Sequence, residues 1–244
     1  MKHVCTLFMI SLCFVACGEP ATTNDAAAET TPETTVAEST TVEFTAQDMA
    51  FNEATPEVTG QEVTYKTETT TMNGYLAYDE NQTGKRPGVL VIHEWWGHND
   101  YARKRAEMLA DLGYVALAVD MYGDGKKASH PEDAGKFSGA VFANMDEAKL
   151  RFEAALATLK SNELVDGEKM AAIGYCFGGS VALTMANAGY DLDAVAAFHS
   201  GVQLPIMPPS EGTLDTKVLV ANGAADPFIP LESVVAWTKA MEAI

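Results

Sequence analysis

The chain has 244 residues, 47% of them hydrophobic, which is enough to bury one sizeable core. Its formal net charge of −18 is concentrated near the N-terminus, where residues 18–65 contain ten acidic side chains and no Lys or Arg. The sequence has no basic stripe of the kind that holds nucleic acid, so a nucleic-acid partner is not expected.

Residues 1–17 have the pattern of an export signal. Lys2 precedes an apolar run over 4–16, which is too short to cross a bilayer but suits the core of a signal peptide. The sequence FVAC before Gly18 resembles a bacterial lipoprotein cleavage site, with Cys17 as the lipidated residue. The protein is then expected on the periplasmic side of a bacterial membrane, touching it only through the lipid. A plain cleaved signal, giving a soluble periplasmic or secreted protein, and an uncleaved core helix remain alternatives.

Residues 18–58 are predicted to be a disordered spacer. They are rich in Thr, Glu and Ala, and eight threonines fall between Thr22 and Thr41. Because few large apolar residues occur here, the segment cannot offset the entropy lost on ordering. An ordered domain is predicted over 59–244, and it is expected to be monomeric.

The first half of this domain alternates strand and helix patterns. Two strands are predicted in EVTYKTETTT and NGYLAYD, with Asn73-Gly74 as the turn between them. VLVI before His93 is a continuous apolar run, typical of a strand buried on both faces. A helix follows, capped by Asn99 or Asp100 and ended by Gly113, and then a second buried strand, YVALAVDMYG. The stretch from about Asp133 to Lys160 is predicted to be helical.

The second half continues the alternation. MAAIGY, DAVAAFH and TKVLVANG are predicted strands, whereas FGGSVALTMANAG and LESVVAWTKAMEAI are predicted helices. Alternating strands and helices indicate an α/β fold, with a mostly parallel sheet covered by helices on both faces.

Cys176 occupies a distinctive position between a strand and a helix. If the leader is removed and Cys17 is lipidated, Cys176 is the one free thiol, and it cannot form an intramolecular disulfide. It lies in Gly174-Tyr175-Cys176-Phe177-Gly178, which matches the G-x-S-x-G nucleophile elbow with cysteine in place of serine. The elbow relies on glycines because the turn is too crowded for larger side chains. A helix that starts behind the sulfur is also expected to favour the thiolate.

Three segments, VLVIHEWWGHND, AIGYCFGG and NGAADPFIP, resemble the dienelactone hydrolase family of α/β-hydrolases, from about Val63 onward. The resemblance implies a Cys-His-Asp triad in which Cys176 is the nucleophile and Asp226 orients the histidine. Glu94 matches a glutamate that contacts the thiol and helps govern its ionisation. The backbone N–H groups of Phe177 and Trp95 would form the oxyanion hole.

The expected substrate is a small ester or lactone. Trp96, His199 and Tyr122 are expected to line its pocket, and the Trp95-Trp96 pair favours an apolar or ring-shaped acyl group. No cofactor or metal is expected, because the pair His93 and His98 has no third ligand in the sequence. For His93 and His199 a purely structural role stays open, although His93, next to Glu94, is also a candidate for shaping the site.

The sequence leaves the catalytic base unassigned. In this fold the chain order is nucleophile, acid, histidine, yet all five histidines precede Asp226. The family's last strand, histidine loop and closing helix are absent, which indicates a C-terminally truncated chain whose histidine lies beyond residue 244. The 244-residue chain itself is then expected to be inactive. A membrane-tethered binding module without catalysis and a thiol redox sensor remain alternatives to the hydrolase.

Overall fold

The computed structural model describes residues 55–207 and 214–242. Its strands are β1 Val58–Lys66, β2 Thr71–Asp79, β3 Arg86–Ile92, β4 Val115–Val119, β5 Val165–Tyr175, β6 Ala194–Phe198 and β7 Lys217–Ala221. Its helices are α1 Asp100–Asp111, α2 Pro131–Ala143, α3 Met145–Lys160, α4 Phe177–Asn187 and α5 Leu231–Glu242.

The described strands form a single mixed sheet in the order β1-β2-β4-β3-β5-β6-β7. β2 pairs antiparallel with both β1 and β4, whereas β4, β3, β5, β6 and β7 run parallel to one another. The predicted mostly parallel sheet is therefore confirmed. Because the carboxyl ends of the five parallel strands meet at one edge, the loops that follow them are brought together there.

Alternation along the central strands divides the core between the two faces of the sheet. Leu90 and Ile92 of β3 belong to the larger cluster, which also contains residues of α3, α4 and α5, whereas Val91 belongs to a second cluster with residues of α1. The buried face of α1 consists of small residues, which let the helix lie close to the sheet: Ala102, Ala106 and Ala110. Helices thus cover both faces, as predicted.

The start of α1 follows the prediction. Asn99 caps the helix, and its Oδ1 accepts hydrogen bonds from Tyr101 N at 3.1 Å and Ala102 N at 3.4 Å. These bonds satisfy backbone donors that the first helical turn leaves without intrahelical partners.

One local prediction was wrong. Asn73 and Gly74 lie inside β2, opposite Thr64 and Val63, and the turn falls instead at Thr67–Thr70, where Thr67 N donates to Thr70 O at 2.9 Å. The stretch predicted to be helical over about 133–160 is helical, as α2 and α3, with a break at Asn144, whose side chain accepts from Glu147 N at 3.3 Å and so caps α3.

One part of the sheet is covered unevenly. On the face shared with α1, alternate residues of β5, β6 and β7 are only partly buried, whereas their neighbours on the other face are buried. The partly buried, mostly apolar set comprises Ile173, Tyr175, Ala196, Phe198, Leu219 and Ala221. Parallel sheets normally have both faces covered, and within the described ranges α1 packs mainly over β1 to β4.

The predicted signal peptide, Cys17 and nearly all of the predicted spacer lie outside the described residues. Within 55–207 and 214–242, no helix combines the length and apolar character needed to span a bilayer.

Candidate active site

Cys176 lies in a sharp turn between β5 and α4, as the elbow pattern predicts. Its backbone φ of 53° is in the left-handed region, which non-glycine residues rarely adopt. Its N–H donates to Phe198 O at 2.9 Å, which ties the turn to the end of β6. The structure therefore places the thiol at the carboxyl edge of the sheet, between two strand ends.

The two glycines of the elbow are required by close backbone approaches. A Cβ on Gly174 would lie 2.2 Å from the carbonyl carbon and oxygen of Gly178. A Cβ on Gly178 would lie 2.3 Å from Ile92 O and 2.5 Å from His93 O. Since real Cβ contacts are never this short, larger residues would force strand and helix apart and move the turn.

The thiol is half-buried, and its surroundings raise the pKa of Cys176 above its ordinary value. Burial is the largest cause of the raised pKa, and the charges of Glu94 and Asp226 add to it. The Phe177 N–H, at the start of α4, acts in the opposite direction. The helix terminus alone was expected to favour the thiolate, but burial and two carboxylates outweigh it, so the resting group is the thiol.

The loop after β3 carries Trp95, whose N–H is the second predicted donor of the oxyanion hole. Trp95 is partly buried, and its carbonyl accepts a hydrogen bond from Tyr122 Oη at 2.7 Å. The preceding carbonyl, Glu94 O, accepts from Gly97 N at 3.2 Å. The peptides on both sides of Trp95 are thus held in place, while Phe177 N–H lies against the sulfur.

Asp226 is organised as a triad acid would be. Its side chain is only 6% exposed, and its Oδ1 accepts hydrogen bonds from Phe228 N at 2.8 Å and Ile229 N at 3.3 Å. Its Oδ2 lies 2.8 Å from Nε2 of His199, whose side chain is 50% exposed. The sequence prediction assigned His199 to the pocket lining and did not anticipate that it contacts the acid.

His199 follows β6 directly and shares the unusual backbone of Cys176. Its φ is 54°, and its N–H donates to Ala221 O at 2.9 Å. Within the described residues, however, no hydrogen bond joins the Cys176 sulfur to an imidazole. The structure thus places an imidazole against Asp226, but among the described residues no hydrogen bond continues from it to the nucleophile.

The remaining predicted residues are aromatic side chains in the loops after β3 and β4. Tyr122 is buried, and its ring packs against His93 at 4.7 Å and Phe177 at 5.3 Å between centroids. Burial raises the pKa of Tyr122, and the charge of Cys176 adds to the effect. Trp95 and Trp96 pack edge to face at 5.2 Å and are both partly exposed.

Tyr122 also lines a cavity of about 290 Å³ that is separate from the Cys176 turn. Its other lining residues combine apolar groups of α2 and α3 with four polar or charged side chains: Lys126, Phe137, Ala140, Val141, Asn144, Glu147, Ala148 and Arg151. Cys176 is not among its lining residues, so the cavity is not itself the nucleophile's site.

The sequence prediction missed Asp120, the buried carboxylate that organises the loop after β4. Its Oδ1 accepts from Tyr122 N at 3.1 Å and Gly123 N at 2.8 Å, and its Oδ2 from Gly125 N at 2.9 Å and Asn73 N at 3.2 Å. The available signal was an aspartate at the end of a buried strand, followed by a glycine-rich loop. Among the described residues, no group of three or more His, Cys, Asp or Glu side chains is arranged to hold a metal.

The family model for the dienelactone hydrolase family matches residues 72–244. Protein usf of Aquifex pyrophilus is 37% identical over 123 residues, covering 48% of this chain and 53% of that protein. A carboxymethylenebutenolidase of Pseudomonas putida is 27% identical over 155 residues, covering 60% of this chain and 64% of the enzyme. The chain thus spans less than two thirds of either relative.

Among solved structures, the crystal structure of P91, a dienelactone hydrolase-like promiscuous phosphotriesterase from metagenomic libraries, matches with a TM-score of 0.69 and 36% identity. The match covers 76% of this chain and 77% of that one. A mostly parallel sheet with a nucleophile-elbow turn at its carboxyl edge defines the α/β-hydrolase class. Within that class, the chain belongs to the dienelactone hydrolase family.

Proposed function

We propose that the intact protein hydrolyses a small carboxylic ester or lactone through a thioester on Cys176. The observation that carries this proposal is the crowded turn that holds the thiol beside the Phe177 N–H, close enough to Asp226 for its charge to act on the sulfur. The chain belongs to the dienelactone hydrolase family, and a relative of 27% identity is named a carboxymethylenebutenolidase.

The proposed reaction has two stages. A histidine takes the Cys176 proton, the sulfur bonds to the carbonyl carbon, and the carbonyl π electrons move to oxygen, which Phe177 N–H and Trp95 N–H stabilise. The oxyanion then collapses, expelling the alkoxide, which takes the proton from the histidine. Water attacks the thioester with the same histidine as base, releasing the acid and restoring the thiol. In a lactone, the alkoxide stays attached to the acyl group until the thioester is cleaved.

Two histidines are candidates for the base. The chain order of this fold favours a histidine that follows Asp226, on a segment beyond residue 244. The alternative is His199, because its Nε2 already lies 2.8 Å from Asp226 Oδ2. His199→Gln separates them. If turnover of an ester substrate falls by about 100-fold or more, the base is His199, whereas a change below about tenfold assigns it to the other segment.

Turnover of an aryl acetate, measured beside alkylation of the thiol by iodoacetamide, tests the proposed chemistry. We expect the intact protein to show both and Cys176→Ala to show neither. Turnover that survives in Cys176→Ala would contradict the mechanism. Alkylation of Cys176 without turnover of any ester would favour the thiol sensor or the binding module.

We also propose that the protein is exported and anchored through a lipid on Cys17, with the spacer holding the domain away from the membrane. The support is the sequence of residues 1–58. Metabolic labelling with palmitate should mark the wild-type protein but not Cys17→Ser; equal labelling of both would refute the anchor.

A further inference from the structure

His93 is a buried histidine that takes no part in the proposed triad. Its side chain is 1% exposed, although it directly follows β3 at the edge where Cys176 lies. Its Nδ1 lies 2.5 Å from Glu94 O, and its Nε2 lies 3.2 Å from Met121 N. Because Met121 N–H can only donate, Nε2 must accept and Nδ1 must carry the proton. Both ring nitrogens are therefore occupied, and one neutral tautomer is fixed.

The carbonyl that His93 holds belongs to the peptide that bears the Trp95 N–H. Glu94 C=O and Trp95 N–H are opposite ends of one planar unit, so fixing the oxygen also fixes the direction of the N–H. Gly97 N donates to the same oxygen at 3.2 Å. Two donors on a carbonyl also polarise its peptide and make the N–H a stronger donor.

The same imidazole touches the other half of the oxyanion hole. Its ring stacks on Phe177, with the centroids 5.6 Å apart, and meets the edge of Tyr122 at 4.7 Å. Through Met121 N, it also connects the loop after β3 to the loop after β4. One side chain thus contacts the three segments whose relative positions define the hole.

We propose that His93 is a positioning residue of the oxyanion hole, which holds the Glu94–Trp95 peptide so that Trp95 N–H faces the carbonyl oxygen of the substrate. The inference rests on the proposed function, since it assigns a role to a residue that supports the same reaction. His93 touches neither the substrate nor the sulfur in this account; it acts through the peptide that it holds.

The electrostatic surroundings keep His93 in the required form. Burial lowers the pKa of His93 to about 4, although the Asp120 carboxylate and the Glu94 carbonyl both act to raise it. The neighbouring ring of His98 is buried as well, and burial lowers its pKa to about 3. Near neutral pH both rings are therefore neutral, and Nε2 of His93 remains available to accept from Met121 N.

A matched set of variants in the intact protein tests this role. His93→Leu removes both hydrogen bonds, whereas the amide of His93→Gln can donate to Glu94 O and accept from Met121 N. His98→Leu is the control, because His98 is equally buried yet makes no hydrogen bond to Glu94 O. We expect His93→Leu to lower kcat for an aryl acetate by about 10- to 100-fold per folded molecule, with KM changed less than threefold. His93→Gln should recover to within about fivefold of wild type, and His98→Leu should keep the wild-type kcat.

A second measurement separates the oxyanion hole from the thiol. An aryl trifluoromethyl ketone adds to Cys176 through a tetrahedral oxyanion, whereas alkylation by iodoacetamide forms none. His93→Leu should therefore weaken the ketone's affinity at least tenfold while the alkylation rate stays within twofold of wild type. Unchanged kcat in His93→Leu, a loss that His93→Gln does not recover, or an equal loss in His98→Leu would overturn the proposal. Wild-type protein without Cys176-dependent turnover would instead refute the proposed function.

Discussion

Cys176 and His199 stand one residue beyond neighbouring strands, and both have φ values in the left-handed region, 53° and 54°. Such a conformation costs non-glycine residues roughly 1–3 kcal/mol and persists only where the surrounding structure enforces it. Here two backbone hydrogen bonds hold it: Cys176 N donates to β6, and His199 N donates to β7. Strain at two adjacent chemically active side chains supports a functional site at this edge.

Asp226 should affect thiol ionisation and turnover in opposite directions. Its negative charge helps raise the pKa of Cys176, so Asp226→Asn should lower that pKa and speed alkylation by iodoacetamide near pH 7. The same change leaves the histidine without its carboxylate, so kcat for an aryl ester should fall by about 10²- to 10⁴-fold.

Glu94→Gln is the matched control for Asp226→Asn, because Glu94 also raises the pKa of Cys176 without contacting His199. It should speed alkylation but reduce kcat much less than Asp226→Asn does. Parallel losses of alkylation and turnover in both variants would contradict the separate roles given to the two carboxylates.

The thiol position was predictable from the sequence. Glycines two residues on either side of a cysteine indicate a turn that is too crowded for larger side chains. The partners of the imidazoles were not predictable. His199 and Asp226 are far apart in the sequence, and only the parallel order of β6 and β7 brings the ends of these strands together. His93 was recognised as lying near the site, but its two backbone partners depend on the paths of two loops.

At the scale of elements, strand and helix order followed from hydrophobic patterning because each segment is long enough to show its period. The residues at which strands and helices begin and end depended on packing. Position 74 of β2 requires glycine, because a Cβ there would meet the Tyr65 ring at 2.9 Å and Ala118 O at 3.0 Å. That is a packing reason for glycine, whereas Asn-Gly in a sequence predicts a turn.

The junction between β5 and α4 should tolerate no side chain at its second glycine. In Gly178→Ala, the new methyl would lie 2.3 Å from Ile92 O, so α4 must move and carry Phe177 N–H with it. We expect kcat for an aryl ester to fall by about 100-fold and the melting temperature to drop.

Gly135→Ala is the control for the Gly178 variant. A Cβ at Gly135 in α2 would meet nothing within 4 Å, so this change should leave kcat unaltered and stabilise the helix by up to about 1 kcal/mol. Wild-type kcat in Gly178→Ala would show that the elbow is less constrained than the geometry indicates.

For the molecule as a whole, two buried histidines should make the folded state sensitive to mild acid. Burial lowers the pKa of His93 to about 4 and that of His98 to about 3, whereas an unfolded histidine titrates near 6.5. Between these values the unfolded chain binds more protons, so stability falls as pH drops below 6.5. From pH 7 to 5 the free energy of unfolding should decrease by about 2 kcal/mol per histidine.

Urea unfolding at pH 7 and pH 5 measures this effect. His98→Leu should flatten the dependence by about half. Equal stability of the wild-type protein at both pH values would mean that the two imidazoles are more accessible to solvent than their burial indicates.

The parallel end of the sheet is covered unevenly. The partly buried residues of β5, β6 and β7 lie on one continuous face next to α1. The sequence could not reveal which apolar residues form this face, because their exposure depends on strand order.

The central claim is that the Cys176 sulfur becomes acylated during turnover. Intact-mass spectrometry of the protein, quenched in acid milliseconds after mixing with an aryl acetate, tests it most directly. We expect an added acetyl group that maps to Cys176, forms and decays at rates compatible with kcat, and is absent from Cys176→Ala. Turnover with no acyl group on Cys176 under conditions that trap thioesters, or an acyl group on another residue, would contradict it.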